Sequence, residues 1–214
     1  MSQMQQAGRP RRVTYVMTLA SPWVYLGHRA FLALAARYGL AIEYRPVPLG
    51  DVFSETGGLP LAKRHPARQR YRLVELQRWR EKRGLPLNFE PRHPRQAITL
   101  ADRCILALAE AGHDPGAFVT DASAGVWADE RNMSDPAEVA ASLRAAGADP
   151  QPILTAAEGE AITARYAANA AEAIGSSIFG APTYILDGEP FWGQDRLELL
   201  EDALRSGRAP YRPD

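Results

Sequence analysis

With 214 residues and 46% apolar side chains, the chain is long enough for one large domain, or for a domain carrying a sizeable insertion. Its 25 Lys and Arg balance 25 Asp and Glu, and zero net charge argues against a nucleic-acid binder or a polybasic membrane binder. No apolar run approaches the ~20 residues of a membrane span, and the single cysteine, Cys104, excludes an internal disulfide and any Cys-x-x-Cys redox or zinc site.

Residues 1–12 are polar, with Arg9, Arg11 and Arg12, and no apolar stretch follows to make a secretory signal. The expected setting is the reducing cytoplasm. Val13–Leu19 reads as a strand. Ser21 then caps a helix with Pro22 in its first turn. Val24, Gly27, Phe31, Leu34 and Tyr38 share one face of that helix, and Gly39 ends it. Ala41–Arg45 reads as a second strand, stopped by Pro46 and Pro48, which gives a β-α-β opening with a parallel pair. From Gly50 to Gly175 helical patterns replace strands. Pro66–Lys82 is charged and helical. Ile98, Ala101, Ile105 and Leu108 form a stripe ending at Gly112, Asp114-Pro115 starts another helix, and Ser134-Asp135-Pro136-Ala137-Glu138 is a strong start signal. Gly159–Ile174 is alanine-rich and reads as a helix. Strands return at Thr183–Leu186 and Pro190–Trp192 around an Asp187-Gly188 turn. A closing helix covers Gln194–Arg205, and a loose tail follows. The expected fold is α/β and thioredoxin-like. Residues 13–49 and 176–205 form the discontinuous thioredoxin-like domain, residues 50–175 a helical insertion domain, and residues 1–12 and 206–214 flexible tails.

Two segments 160 residues apart carry the chemistry: Ser21-Pro22 and Ala181-Pro182-Thr183. Serine stands where a thioredoxin scaffold carries its redox cysteine. It cannot shuttle electrons, but it can hold a borrowed thiolate, and glutathione is the candidate donor. The plainest reading of Ser21 is a helix N-cap. The functional reading adds an anion at the N–H groups of the first turn. A helix terminus supplies about 0.3–2 kcal/mol and a hydrogen bond to a charged group about 1.5–3 kcal/mol. Each unit of pKa depression takes about 1.4 kcal/mol, so the two effects bring a bound thiol from ~8.5 to near neutrality. Pro182 is tolerated at a strand start; as a cis peptide it leaves the Ala181 backbone to pair with an extended ligand. Gly193-Gln194-Asp195-Arg196 is a turn and helix start whose N–H groups suit a carboxylate and whose Asp195 suits an amine, as at the γ-glutamyl end of glutathione. Lys63-Arg64-His65-Pro66-Ala67-Arg68-Gln69-Arg70 reads first as a solvated face; Lys63 or Arg68 is the candidate cation for a carboxylate. His28, His65, His93 and His113 lack metal-ligand spacing, Gly-x-Ser-x-Gly and phosphate-binding glycine motifs are absent, and Cys104 reads as core.

The chain resembles the 2-hydroxychromene-2-carboxylate isomerases, cousins of the kappa-class glutathione transferases within the DsbA-like group. The likeness lies in Ser21-Pro22-Trp23-Val24-Tyr25-Leu26, Tyr44-Arg45-Pro46, Leu49-Gly50 with Phe53, Leu76-Gln77-Arg78-Trp79 and Leu85-Pro86-Leu87-Asn88-Phe89. It is clearest in Phe179-Gly180-Ala181-Pro182-Thr183 and Phe191-Trp192-Gly193-Gln194-Asp195-Arg196-Leu197. The resemblance implies that Ser21 contacts the glutathione sulfur and that the Ala181 backbone pairs with the cysteinyl part, with Pro182 beside it in the glutathione-binding set. Trp192, Gly193, Gln194 and Asp195 would hold the γ-glutamyl end. It also implies a homodimer and a reversible cis–trans isomerisation of a small aromatic carboxylate in aromatic-compound degradation, with glutathione as an unconsumed cofactor. Thr18-Leu19-Ala20 departs from the more acidic and aromatic residues that often precede the serine. Gln96, a further candidate substrate residue, stands near a common asparagine, and Asn132 stands near a common acid. The alternatives are a glutathione transferase acting on another electrophile and a non-catalytic glutathione-binding module.

Overall fold

The computed structural model of the protein describes residues 11–93 and 98–213. Among these, four strands form one mixed sheet: β1 (Arg12–Met17), β2 (Ala41–Pro46), β3 (Thr183–Leu186) and β4 (Glu189–Trp192), in the order β2-β1-β3-β4. β1 and β2 are parallel, joined by α1 (Pro22–Tyr38), as the β-α-β pattern requires. β3 runs antiparallel to β1, opposing Tyr15 to Tyr184, and β4 returns antiparallel to β3. The hairpin turn is Asp187-Gly188, with both residues at positive φ (51° and 82°), the geometry that Asp-Gly favours.

Between β2 and β3 run α2 (Leu49–Thr56), α3 (Pro66–Arg83), α4 (Thr99–Glu110), α5 (Gly116–Trp127), α6 (Pro136–Ala145), α7 (Pro150–Glu158) and α8 (Glu160–Gly175). Asp135 caps α6 and Asp149 caps α7, each followed by proline at the first helical position. The segment after β4 is not one helix. Gln194–Arg196 makes a 3-10 turn before α9 (Leu197–Ser206) begins.

Alternation along the strands covers the sheet on both faces. Val13, Tyr15, Met17, Tyr184 and Leu186 enter the main core. Val16 and Ile185 point the other way, against Val47, Val52, Ala170, Ala173 and Ile178. The main core does not stop at the edge of the inserted helices. It runs from Tyr15, Phe31 and Leu200 through Ile105, Phe118, Trp127 and Leu143 without a break. The insertion therefore shares its apolar interior with the sheet.

Residues 207–213 are tied down, not loose. Glu189 accepts from both guanidinium ends of Arg208 (2.7 and 2.8 Å) and from the Tyr211 N–H (2.9 Å), while Arg212 donates to the Asp187 carbonyl (2.8 Å). Charge pairing across 19 residues is invisible to a pattern that reads only polarity. No helix among the described residues is long and apolar enough to cross a membrane.

Candidate active site

Ser21 caps α1 from an extended backbone conformation (φ −99°, ψ 120°), and its Oγ accepts from the Val24 N–H at 3.4 Å. It is buried, at 4% exposure, so the cap is not a surface feature. Its hydroxyl donates to the carbonyl of Ala181 at 3.1 Å. The two segments singled out in the sequence therefore meet, and the Ala181-Pro182 peptide is cis. The Ala181 carbonyl, expected to be open for a ligand, is held by Ser21.

The third segment joins them through Gly193, whose N–H donates to the Pro182 carbonyl (2.9 Å). Gly193 has φ +109°, a conformation closed to other residues, and it turns the chain from β4 into Gln194 and Asp195. Gly27 does the matching work on α1: a Cβ there would lie 2.4 Å from the Cβ of Gln194. Only a glycine lets α1 press against the 3-10 turn and bring Gln194 and Asp195 beside the α1 N-terminus.

A cavity of about 230 Å³ opens over this junction, lined by Trp23, Trp79, Ala181, Trp192 and Asp195 among others. A second, of about 150 Å³, shares Trp79, Gln194 and Asp195 with it and adds Arg37, Arg83 and Glu198. Three indoles give the larger cavity flat apolar walls suited to a planar ring. Trp192 is 52% exposed and packs edge-on against Phe179 (ring centroids 4.7 Å). Asp195 pairs with Arg196 at 2.6 Å.

Lys63 and Arg68 are exposed and line neither cavity. Arg83, at the other end of α3, donates to the Gln194 side chain (2.8 and 3.2 Å) and to its carbonyl (3.3 Å). Fifteen residues of helix separate Arg68 from Arg83, roughly 22 Å of travel, so only the C-terminal end of α3 arrives. Arg83 lies over the Trp79 ring, and burial lowers its pKa. Nothing in the basic run Arg80–Arg83 marks it from its neighbours. Gln96 lies outside the described residues.

A second residue missed in the sequence is Asp102, on α4. Its carboxylate is 1% exposed and accepts from Thr18 Oγ1 (2.7 Å), the Leu19 N–H (2.9 Å) and the Tyr166 hydroxyl (3.2 Å). Burial pushes its pKa up to about 6 against the hydrogen bonds, which lower it. The signal was present: Asp102 falls on the same helical face as Ile98 and Ile105, an acid inside an apolar stripe. Cys104 and His28 are inert by comparison. Burial pushes the Cys104 thiol up to about 12 and the His28 imidazole down to about 4.

Residues 12–205 match the DSBA-like thioredoxin domain family. The chain is 31% identical to the 2-hydroxychromene-2-carboxylate isomerase of Pseudomonas putida, over 90% of this chain and 93% of that one. It belongs to the 2-hydroxychromene-2-carboxylate isomerase family. The enzyme of the same name from Sphingobium xenophagum is 28% identical, over 91% of this chain and 98% of that one. A solved structure of selenomethionine 2-hydroxychromene-2-carboxylate isomerase matches with a TM-score of 0.77 at 30% identity, covering 91% of this chain and 95% of that one. The thioredoxin-like architecture and the isomerase family read from the residues both stand.

Proposed function

We propose that the protein is a glutathione-dependent isomerase that interconverts 2-hydroxychromene-2-carboxylate and trans-o-hydroxybenzylidenepyruvate. Its setting is cytoplasmic breakdown of aromatic compounds, and its working form a homodimer. One observation carries the reading: the Ser21 hydroxyl and the Ala181 carbonyl meet 3.1 Å apart beside a cavity walled by indoles and edged by Asp195.

The donor and acceptor set suits glutathione. Ser21 and the α1 N-terminus offer hydrogen bonds and positive potential to a sulfur anion. The Ala181 carbonyl suits an amide N–H of the tripeptide, and Asp195 suits its ammonium group. Glutathione, held by Ser21, Ala181 and Asp195, would supply a thiolate able to add reversibly to the conjugated system, so that the ring C–O bond can open, the resulting single bond rotate and the thiolate be expelled unchanged. The chain's own residues do the rest. Ser21 lowers the thiol's pKa, and Trp23, Trp79 and Trp192 hold a planar ring beside it and limit water. Arg83 fixes Gln194, and through it the turn that carries Asp195.

Calorimetric titration with glutathione, followed by a spectroscopic assay on the chromene carboxylate, tests this. The expected result is binding, with turnover that leaves total glutathione unchanged. Net loss of glutathione with the electrophile would mark a transferase instead, and binding with no turnover a non-catalytic module.

A further inference from the structure

The turn that presents Ser21 is anchored from outside the thioredoxin-like part. Leu19 donates its N–H to Asp102 Oδ1 and accepts on its carbonyl from Trp127 Nε1 (2.9 Å). Thr18 accepts on its hydroxyl from the Ala20 N–H (3.2 Å) and donates to Asp102 Oδ2, while its carbonyl accepts from the Ser21 N–H (3.1 Å). Asp102 therefore sits two hydrogen bonds from Ser21.

An ionised carboxylate only accepts, so it fixes the direction of all three bonds made to it. Thr18 must point its proton at Asp102, which leaves its lone pair for Ala20. A protonated carboxyl must donate through one oxygen, and one of the three bonds then reverses or breaks. Among the described residues, Tyr166 from α8 bonds to it and Cys104 and Arg103 neighbour it along α4, while Asp51 of α2 acts on Tyr166 and Glu158 of α7 on Cys104. Arg103 turns away to the Thr163 hydroxyl (2.8 Å). The acceptor-only form of Asp102 is thus held by neutral donors and not by an ion pair.

We propose that Asp102 is a positioning residue: its ionised carboxylate, contributed by the inserted helices, holds the Thr18–Ser21 turn in the conformation that presents the Ser21 hydroxyl to a bound sulfur anion. This rests on the glutathione reading of the site for its catalytic consequence, but the hold on the turn is a property of the ligand-free protein.

The test pairs two readouts on wild type and Asp102→Asn. The first is the backbone amide shift of Leu19 in ligand-free protein, followed by NMR on either side of pH 6. The second is kcat and KM with glutathione and chromene carboxylate over the same range. In wild type the Leu19 signal titrates with a midpoint of about 6, and kcat falls on the acid side of it. In Asp102→Asn the Leu19 signal no longer titrates and kcat drops roughly 10–100-fold, while KM for glutathione stays within about 3-fold. A Leu19 amide that ignores pH in wild type overturns the proposal, as does an Asp102→Asn protein with wild-type kcat and pH profile. Should Asp102→Asn not fold, Thr18→Val removes the same bond from the other side and is expected to lower kcat in the same way; a Thr18→Val protein with wild-type kcat counts against the proposal. A wild-type protein without glutathione turnover would remove the proposed function, yet the Leu19 titration would still decide whether Asp102 holds the turn.

Discussion

The Ser21 hydroxyl has one proton, and it is donated to the carbonyl of Ala181, 3.1 Å away across 160 residues of chain. A sulfur anion at the α1 N-terminus needs that same proton. On the proposed function the hydroxyl turns from that carbonyl to the sulfur when glutathione binds, while the carbonyl keeps lone pairs for a ligand amide. Ser21→Ala is expected to lower kcat/KM roughly 10–100-fold, the equivalent of a charge-assisted hydrogen bond of about 1.5–3 kcal/mol. The basic shift of the pH profile should be about 1–2 units. Loss of the cap should also cost about 0.5–2 kcal/mol of stability in denaturant unfolding. Activity that survives with an unshifted profile excludes the proposed role.

Asp195 lines the cavity and pairs with Arg196 at 2.6 Å, and the proposed function gives it the ammonium group of glutathione, not the sulfur. Asp195→Ala is therefore expected to act on binding. KM for glutathione rises about 10-fold while kcat at saturating glutathione is nearly kept. A collapse of kcat would contradict the assignment.

Gly27→Ala separates packing from helix propensity. Alanine is favoured over glycine within a helix by roughly 0.5–1 kcal/mol. Here its Cβ would lie 2.4 Å from the Gln194 Cβ, and overpacking of that kind costs about 1–3 kcal/mol. Thermal unfolding should show a net loss of stability, with weakened glutathione binding as the 3-10 turn is pushed off α1. A more stable Gly27→Ala protein with unchanged affinity would show that the contact relaxes freely.

Asp102 predicts a distinctive pH dependence of stability. Its folded pKa is raised from 3.8 to about 6, so the folded state binds the proton more tightly than the unfolded chain. Its contribution to stability is most favourable below the unfolded value and declines as pH rises through the folded one. The difference amounts to about 3 kcal/mol at neutrality. Asp102→Asn should flatten that part of the profile. Urea unfolding of both proteins at stepped pH checks this; parallel profiles would refute it.

The strands and most helices were legible because their signals are local: alternation in β1, Asp-Gly at the hairpin, and a cap followed by proline at α1 and α6. The positions of Ser21, Ala181 and Asp195 follow the same local signals, since Ser21 caps α1, Ala181 lies two residues before β3 and Asp195 sits inside the 3-10 turn. What stayed hidden depends on contacts that span the chain. Arg83 reaches Gln194 across 111 residues, and Asp102 reaches Thr18 across 84. Lys63 lies before α3 and Arg68 in its first turn, and neither lines either cavity. The closing helix was expected from Gln194, but the first three residues tighten into a 3-10 turn against Gly27.

The most direct test is ultraviolet titration of the thiolate of protein-bound glutathione, in wild type and in Ser21→Ala. The sulfur in wild type should ionise near neutrality, well below the ~8.5 of a free thiol, and move back up by about 1–2 units without the hydroxyl. Equal midpoints in the two proteins, or no complex at all, would contradict the claim that this oxygen holds a borrowed sulfur anion.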